Sequence, residues 1–101
     1  MAWRIVWTEN ADTDRQEIFN YWINRTNSLT YSKKLHRLIK ENTKLISQYP
    51  YIGRLTDEES IRVKIIGDYL LFYEISVTHI IILKLWDSRR NPHGSSLVNF
   101  K

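Results

Sequence analysis

Cysteine is absent from the 101-residue chain, so neither a disulfide framework nor a thiolate metal site can hold the fold. Glycine occurs three times and proline twice, which excludes a collagen-like or Pro/Gly-rich disordered chain. No apolar run approaches the ~18 residues of a membrane-spanning helix, so no membrane partner is expected. The start, Met1-Ala2-Trp3-Arg4-Ile5-Val6-Trp7, lacks a long apolar segment and a small-residue cleavage site. No secretory leader is therefore expected, and the cytoplasm is the default location. There is no Gly-rich phosphate loop, internal repeat or low-complexity segment. His36, His79 and His93 stand in unrelated contexts, and no carboxylate–histidine spacing points to zinc. No metal and no cofactor are expected.

What is present suffices for one small domain over residues 1–101. Hydrophobic residues make up 43% and aromatics 13% of the chain, enough for a single modest core. The formal net charge is +4 and the sequence pI is near 9.5. Such a charge suits RNA, DNA or an acidic protein, and equally an ordinary soluble domain.

Residues 3–7 are rich in aromatic and β-branched types and predict a strand. Thr8 predicts a helix N-cap, with Glu9 and Asp12 favourable in the first turn. Ala11, Ile18, Tyr21 and Trp22 then recur at helical spacing as far as about Thr26. Asn27 and Ser28 break the pattern. A second helix is predicted from about Tyr31 to Gln48, with Leu35, Leu38, Ile39, Leu45 and Ile46 on one stripe. Lys33, Lys34, Arg37, Lys40 and Lys44 fall on the other side. Pro50 ends this helix, and the acidic loop Asp57-Glu58-Glu59 follows. Three strands are predicted at 61–66, 69–75 and 80–86. Gly67-Asp68 links the first two as a type II′ hairpin signal. The order βααβββ predicts an α+β domain, an antiparallel sheet with a helical hairpin packed on one face. Residues 97–101 read as a short strand or a disordered tail.

The hairpin turn fixes a register. Ile66 faces Tyr69, Lys64 faces Leu71 and Arg62 faces Tyr73, and cross-strand partners share a face. One face holds Ile61, Val63, Ile65, Leu70 and Phe72 and is expected to lie under the helices. A second turn of even length adds Leu83 and Leu85 to it. The opposite face then mixes Arg62, Lys64 and Lys84 with Tyr69, Tyr73 and Trp86, beside Ile66, Leu71 and Ile82. Cations interleaved with rings suit RNA or single-stranded DNA. The apolar members suit a protein partner, and a half-wet sheet face is the plain structural alternative. Beyond the last strand, Arg89 and Arg90 can grip a phosphate or carboxylate, or pair locally with Asp87.

In their order and spacing, several segments resemble the RelE/ParE superfamily of type II toxins. These are Ile18-Phe19-Asn20-Tyr21, Tyr49-Pro50-Tyr51-Ile52-Gly53-Arg54, the hairpin from Ile61 to Ile75, and Leu85-Trp86-Asp87-Ser88-Arg89-Arg90-Asn91-Pro92. The likeness covers about residues 3–92. It implies the βααβββ fold, a cytoplasmic toxin that a cognate antitoxin wraps and neutralises, and operator DNA bound only through the antitoxin complex. RelE-like members cleave mRNA on the ribosome, whereas ParE-like members poison DNA gyrase and belong to plasmid-stabilisation systems. For an endoribonuclease the resemblance assigns Lys64, Arg89 and Arg90 as catalytic cations acting without metal. For either target, Arg62, Tyr69, Tyr73, Lys84 and Trp86 form the substrate or partner surface. The chain carries Leu70 where RelE-like toxins have an arginine, and the segment from Pro50 to Arg54 is ParE-like. Gyrase poisoning is therefore the leading expectation. A ribosome-dependent endoribonuclease and a degenerate antitoxin-binding module without toxicity are the alternatives.

Overall fold

The computed structural model describes residues 2–89. Arg90, His93 and the segment 97–101 lie outside the described residues. Strand β1 (Arg4–Trp7) leads into helix α1 (Glu9–Thr26), followed by helix α2 (Thr30–Gln48) and a 3-10 turn at Pro50–Ile52. Strands β2 (Arg54–Leu55), β3 (Ile61–Ile66), β4 (Tyr69–Ile75) and β5 (His79–Asp87) complete the order. The two helices pack on one face of a five-stranded sheet ordered β1-β5-β4-β3-β2.

Local chemistry sets the boundaries. The Thr8 hydroxyl accepts the Ala11 N–H at 3.1 Å, a cap worth about 1 kcal/mol. Asn27 ends α1 in the left-handed conformation with φ 53°, which Asn tolerates better than most residues. Gly67 has φ +60°, as the first central residue of a type II′ turn requires. The β3–β4 register is the expected one, with Ile66 opposite Tyr69, Lys64 opposite Leu71 and Arg62 opposite Tyr73.

Three features depart from expectation. The sheet is mixed rather than antiparallel throughout, because β1 lies parallel to β5 along Arg4–His79 to Trp7–Ile82. Parallel neighbours need a long connection between them, and here both helices and three strands supply it. The two-residue β2, too short for any periodicity, pairs with β3 at Arg54–Val63. Third, the helices cover the face that carries Ile66, Tyr69, Leu71 and Tyr73, not the one expected. These four side chains are at most 2% exposed and share a core with Leu35, Ile39, Ile46, Ile80, Ile82 and Leu85.

The expected core face is instead the one that no described helix covers, the open face. On it Val63, Leu70 and Phe72, at most 9% exposed, form a smaller buried cluster with Ile61 and Trp86, while Ile65 is 47% exposed. Both faces are apolar enough to bury side chains, so composition did not decide between them. Arg62 and Lys64 made the true core face look wet, yet they lie on β3, towards the sheet margin. The central strands β4 and β5 present only Tyr hydroxyls among polar groups on that face above Asp87. Each hydroxyl is satisfied: Tyr69 Oη accepts the Trp22 indole N–H at 2.7 Å, and Tyr73 Oη donates to the Pro50 carbonyl at 2.7 Å while accepting the Gly53 N–H at 2.8 Å.

A bulge shifts β5 in mid-strand. Phe72 pairs with Lys84 but Tyr73 with Ile82, leaving Leu83 unpaired. Ile80 and Ile82 therefore face the helices, and so does Leu85. Lys84 and Trp86, opposite Phe72 and Leu70, turn to the open face. The even-length-turn expectation for the third strand fails at this residue.

The link between Tyr73 and the 50–53 segment generates a first prediction. A Cβ on Gly53 would lie 2.5 Å from Tyr73 Oη. Gly53→Ala should cost about 1–3 kcal/mol through overpacking. Tyr73→Phe should cost a similar ~1–3 kcal/mol by leaving the buried Gly53 N–H unpaired. Urea unfolding measures both, and because the two changes break one contact, their double variant should cost less than the sum of the singles. Additive costs would show that the contact is not shared.

Burial also raises the Tyr69 and Tyr73 hydroxyls above the ordinary tyrosine value of 10.0. A folded pKa above the unfolded one gives stability that is complete below pH 10 and lost as pH rises through the folded values. Unfolding free energy should thus decline once pH passes 10, and Tyr69→Phe should make that decline shallower. An unchanged slope in the variant would contradict the assignment.

Candidate functional site

The residues expected to carry function fall in separate places. Arg62 belongs to the corner built by Tyr73. Its Nη1 donates to the Gly53 carbonyl at 2.8 Å and the Tyr51 carbonyl at 3.2 Å, and its guanidinium carbon lies 5.0 Å from the Tyr51 ring centroid. This side chain holds the 50–53 segment onto the sheet. Tyr73 is fully buried behind it, so neither residue is offered as an open recognition surface.

At the other end of the sheet Tyr69 pairs with Asp87 across β4 and β5. Tyr69 is 2% exposed beneath Trp22 of α1, whose ring contacts Tyr31 with centroids 4.5 Å apart. Arg89 lies over the same Trp22 ring, its guanidinium carbon 5.5 Å from the centroid. Arg89 and Asp87 make a two-pronged ion pair, Nε to Oδ1 at 3.0 Å and Nη2 to Oδ2 at 2.9 Å. The Asp87 carboxylate holds the Arg89 pKa even further above its ordinary value. It also fills the fork that an incoming phosphate or carboxylate would use. The local pairing foreseen for Asp87 is therefore the one observed with Arg89.

Lys64 lies half-buried on β3. Among the described residues its Nζ reaches the Ile65 carbonyl, at 3.5 Å. Lys84 and Trp86 are on the open face, with Lys84 Nζ 5.2 Å from the Trp86 ring centroid. Lys84 Nζ also lies 3.6 Å from Asp14 Oδ2 of α1. The same Asp14 oxygen accepts the Leu85 backbone N–H at 3.2 Å. Sequence reading missed Asp14, since an acid mid-helix has no periodicity to mark it. Its role comes from β5 outrunning β1, which leaves strand-edge groups that α1 must satisfy. Beside this contact Asp14, Glu17, Tyr21, Lys84 and Trp86 line an open pocket of about 210 Å³.

Chemically the arrangement is poor in reactive groupings. Among the described residues no cluster of three His, Cys, Asp or Glu side chains is placed to hold a metal. Leu70, at the arginine position of RelE-like toxins, sits in the open-face cluster with Val63 and Phe72, on the side opposite Lys64. Arg62, Lys84 and Arg89 are each engaged by groups of the same chain. Among the described residues of the expected set the accessible members are Lys64, Lys84, Trp86 and Arg89, and Lys64 does not share a face with Lys84 and Trp86. No described helix is long and apolar enough to cross a membrane.

Comparisons with known proteins identify the fold and the family. No curated protein matches the sequence. The chromosomal ParDE TA system from P. aeruginosa has a chain of the same fold, with a TM-score of 0.74. Sequence identity is 18%, and the match covers 85% of this chain and 96% of that one. A family model described as the ParE toxin of the type II toxin–antitoxin system, parDE, matches residues 5–92. The chain belongs to the ParE toxin family of type II toxin–antitoxin systems.

Proposed function

We propose that this protein is a growth-inhibiting cytoplasmic toxin, neutralised by a cognate antitoxin, whose effector action is poisoning of DNA gyrase. The observation that carries this reading is the scattering of the would-be nuclease residues. Cleavage of RNA at the 2′-hydroxyl needs a base, an acid and cations converging on one phosphate. Here both sheet tyrosines are buried under the helices, the Arg89 fork is filled by Asp87, and Lys64 stands apart from the Lys84–Trp86 pair. A gyrase poison needs a contact surface rather than a reactive centre. Lys84, Trp86 and Arg89, late in the chain order at one end of the sheet, are the proposed contact residues. The antitoxin partner follows from the family, and operator binding would run through the toxin–antitoxin complex.

Purified protein should inhibit supercoiling by gyrase and accumulate protein-linked DNA breaks, while message in a cell-free translation reaction stays intact. Cuts confined to translated message would replace gyrase with the ribosome. Absence of both effects, with no growth arrest when the chain is expressed without antitoxin, would leave a binding module. Arg89→Ala should raise the inhibitory concentration on gyrase on the order of tenfold or more, as loss of an interfacial arginine does. Lys64→Ala should leave it within about twofold, the usual result outside an interface. The reverse ranking would move the contact surface to β3.

A further inference from the structure

The net charge of this chain is concentrated on one helix. Helix α2 holds five of the fifteen Lys and Arg residues and one of the eleven Asp and Glu residues. The remaining ten of each sign cancel, so the whole excess of +4 resides between Thr30 and Gln48. The five cations, Lys33, Lys34, Arg37, Lys40 and Lys44, are all exposed. Among the described residues the ion pairs are Arg15–Asp12, Lys84–Asp14 and Arg89–Asp87, and none involves α2.

The arrangement is ordered. At 100° per residue, Lys33, Arg37, Lys40 and Lys44 fall within a sector of about 60° and extend over about 16 Å of helix. They face away from the buried stripe of Leu35, Ile39 and Ile46. Local stability favours the pattern only around Glu41, which lies four residues from Arg37 and three from Lys44. Lys33 and Arg37, and Lys40 and Lys44, are like charges four residues apart, which repel. No acidic residue offsets them in the first turn of α2, where the helix dipole disfavours cations. A stripe that runs against its own helix's electrostatics finds its compensation in an external polyanion.

We propose that this face of α2 binds the phosphate backbone of duplex DNA directly, independently of the antitoxin and of the enzyme the toxin acts on. A row of cations about 16 Å long can meet a few phosphates of a duplex before the strand winds away from a straight rod. The exposed positions of α2 beside the stripe carry Thr30, Lys34, His36, Glu41 and Gln48. The one ring among them, His36, is engaged edge-on by Phe19 of α1 at 5.7 Å between centroids, and no Trp, Tyr or Phe is there to stack on an unpaired base. Within α2 no apolar side chain is exposed, and the single one at its start, Leu29 at 53% exposure, is too little to enter a membrane or form the dry centre of a protein interface. A rigid row of cations without apolar or stacking groups fits a duplex backbone and reads no sequence.

The test is fluorescence anisotropy of a labelled 25-base-pair duplex titrated with the free toxin. Four phosphate contacts predict a slope of log K against log salt near −3.6, or about a hundredfold weakening between 50 and 200 mM salt. Arg37→Gln/Lys40→Gln should flatten the slope by about two. Arg4→Gln/Arg25→Gln, which removes the same net charge elsewhere, should leave it unchanged. Circular dichroism should show both variants folded, since the altered side chains are exposed. Equal losses in the two variants would reduce the effect to bulk charge and overturn the proposal. So would a preference for single-stranded RNA, or binding of poly-glutamate peptide but not of duplex.

Discussion

One unpaired residue, Leu83, sets the phase of the strand on which the fold turns. β5 is the longest strand and has β1 on one side and β4 on the other. With strict alternation, Ile80 and Ile82 could lie under the helices only if Leu85 turned away. The bulge lets all three enter the same core. Burying each is worth about 1.5–3 kcal/mol, against a local loss of ladder pairing. The same bulge swings Lys84 and Trp86 to the open face, where Lys84 can still meet Asp14 around the edge of β5. Packing of the core and composition of the outer surface are thus decided at one position.

Much of the chain was legible because its signals are local. The Thr8 cap, the Asn27 stop and the Gly67-Asp68 turn each depend on a few neighbouring residues, and each occurs where the sequence places it. The β3–β4 register followed from the turn alone. What did not follow was everything set by distant contacts. Pairing of β1 with β5 joins the two ends of the described chain. The face covered by the helices depends on where the helical layer stops, and Arg62 and Lys64 lie where β4 and β5 no longer dominate. A bulge has no sequence mark of its own when Leu83 differs little from its neighbours.

The polar groups of the site were misread for the same reason. Tyr69 and Tyr73 look like recognition residues in a strand of alternating character. Their hydroxyls instead serve interior partners, the Trp22 indole and the Pro50–Gly53 backbone, and this is what permits their burial. Arg62 likewise spends its donors on two carbonyls of the segment that Tyr73 anchors. Sequence identifies a group able to bind; only the fold shows whether the group is already bound.

That distinction separates the cations into two kinds. Arg15, Arg62, Lys84 and Arg89 are each matched by a carboxylate, a carbonyl or a ring of the same chain, which fixes where Lys84 and Arg89 present their remaining accessible surface. The α2 cations are matched by nothing in the described structure, and they repel one another along a rigid rod. Outside α2 the ten cations and ten anions of the sequence balance, and the ion pairs Arg15–Asp12, Lys84–Asp14 and Arg89–Asp87 are drawn from them. An uncancelled block therefore points outward. α2 is packed against the sheet on one side only, so its cationic stripe and the open-face residues Lys84 and Trp86 look in opposite directions. An inhibitor of a DNA-handling enzyme would be able to meet the duplex with one side and the protein with the other, without either contact obstructing its neighbour.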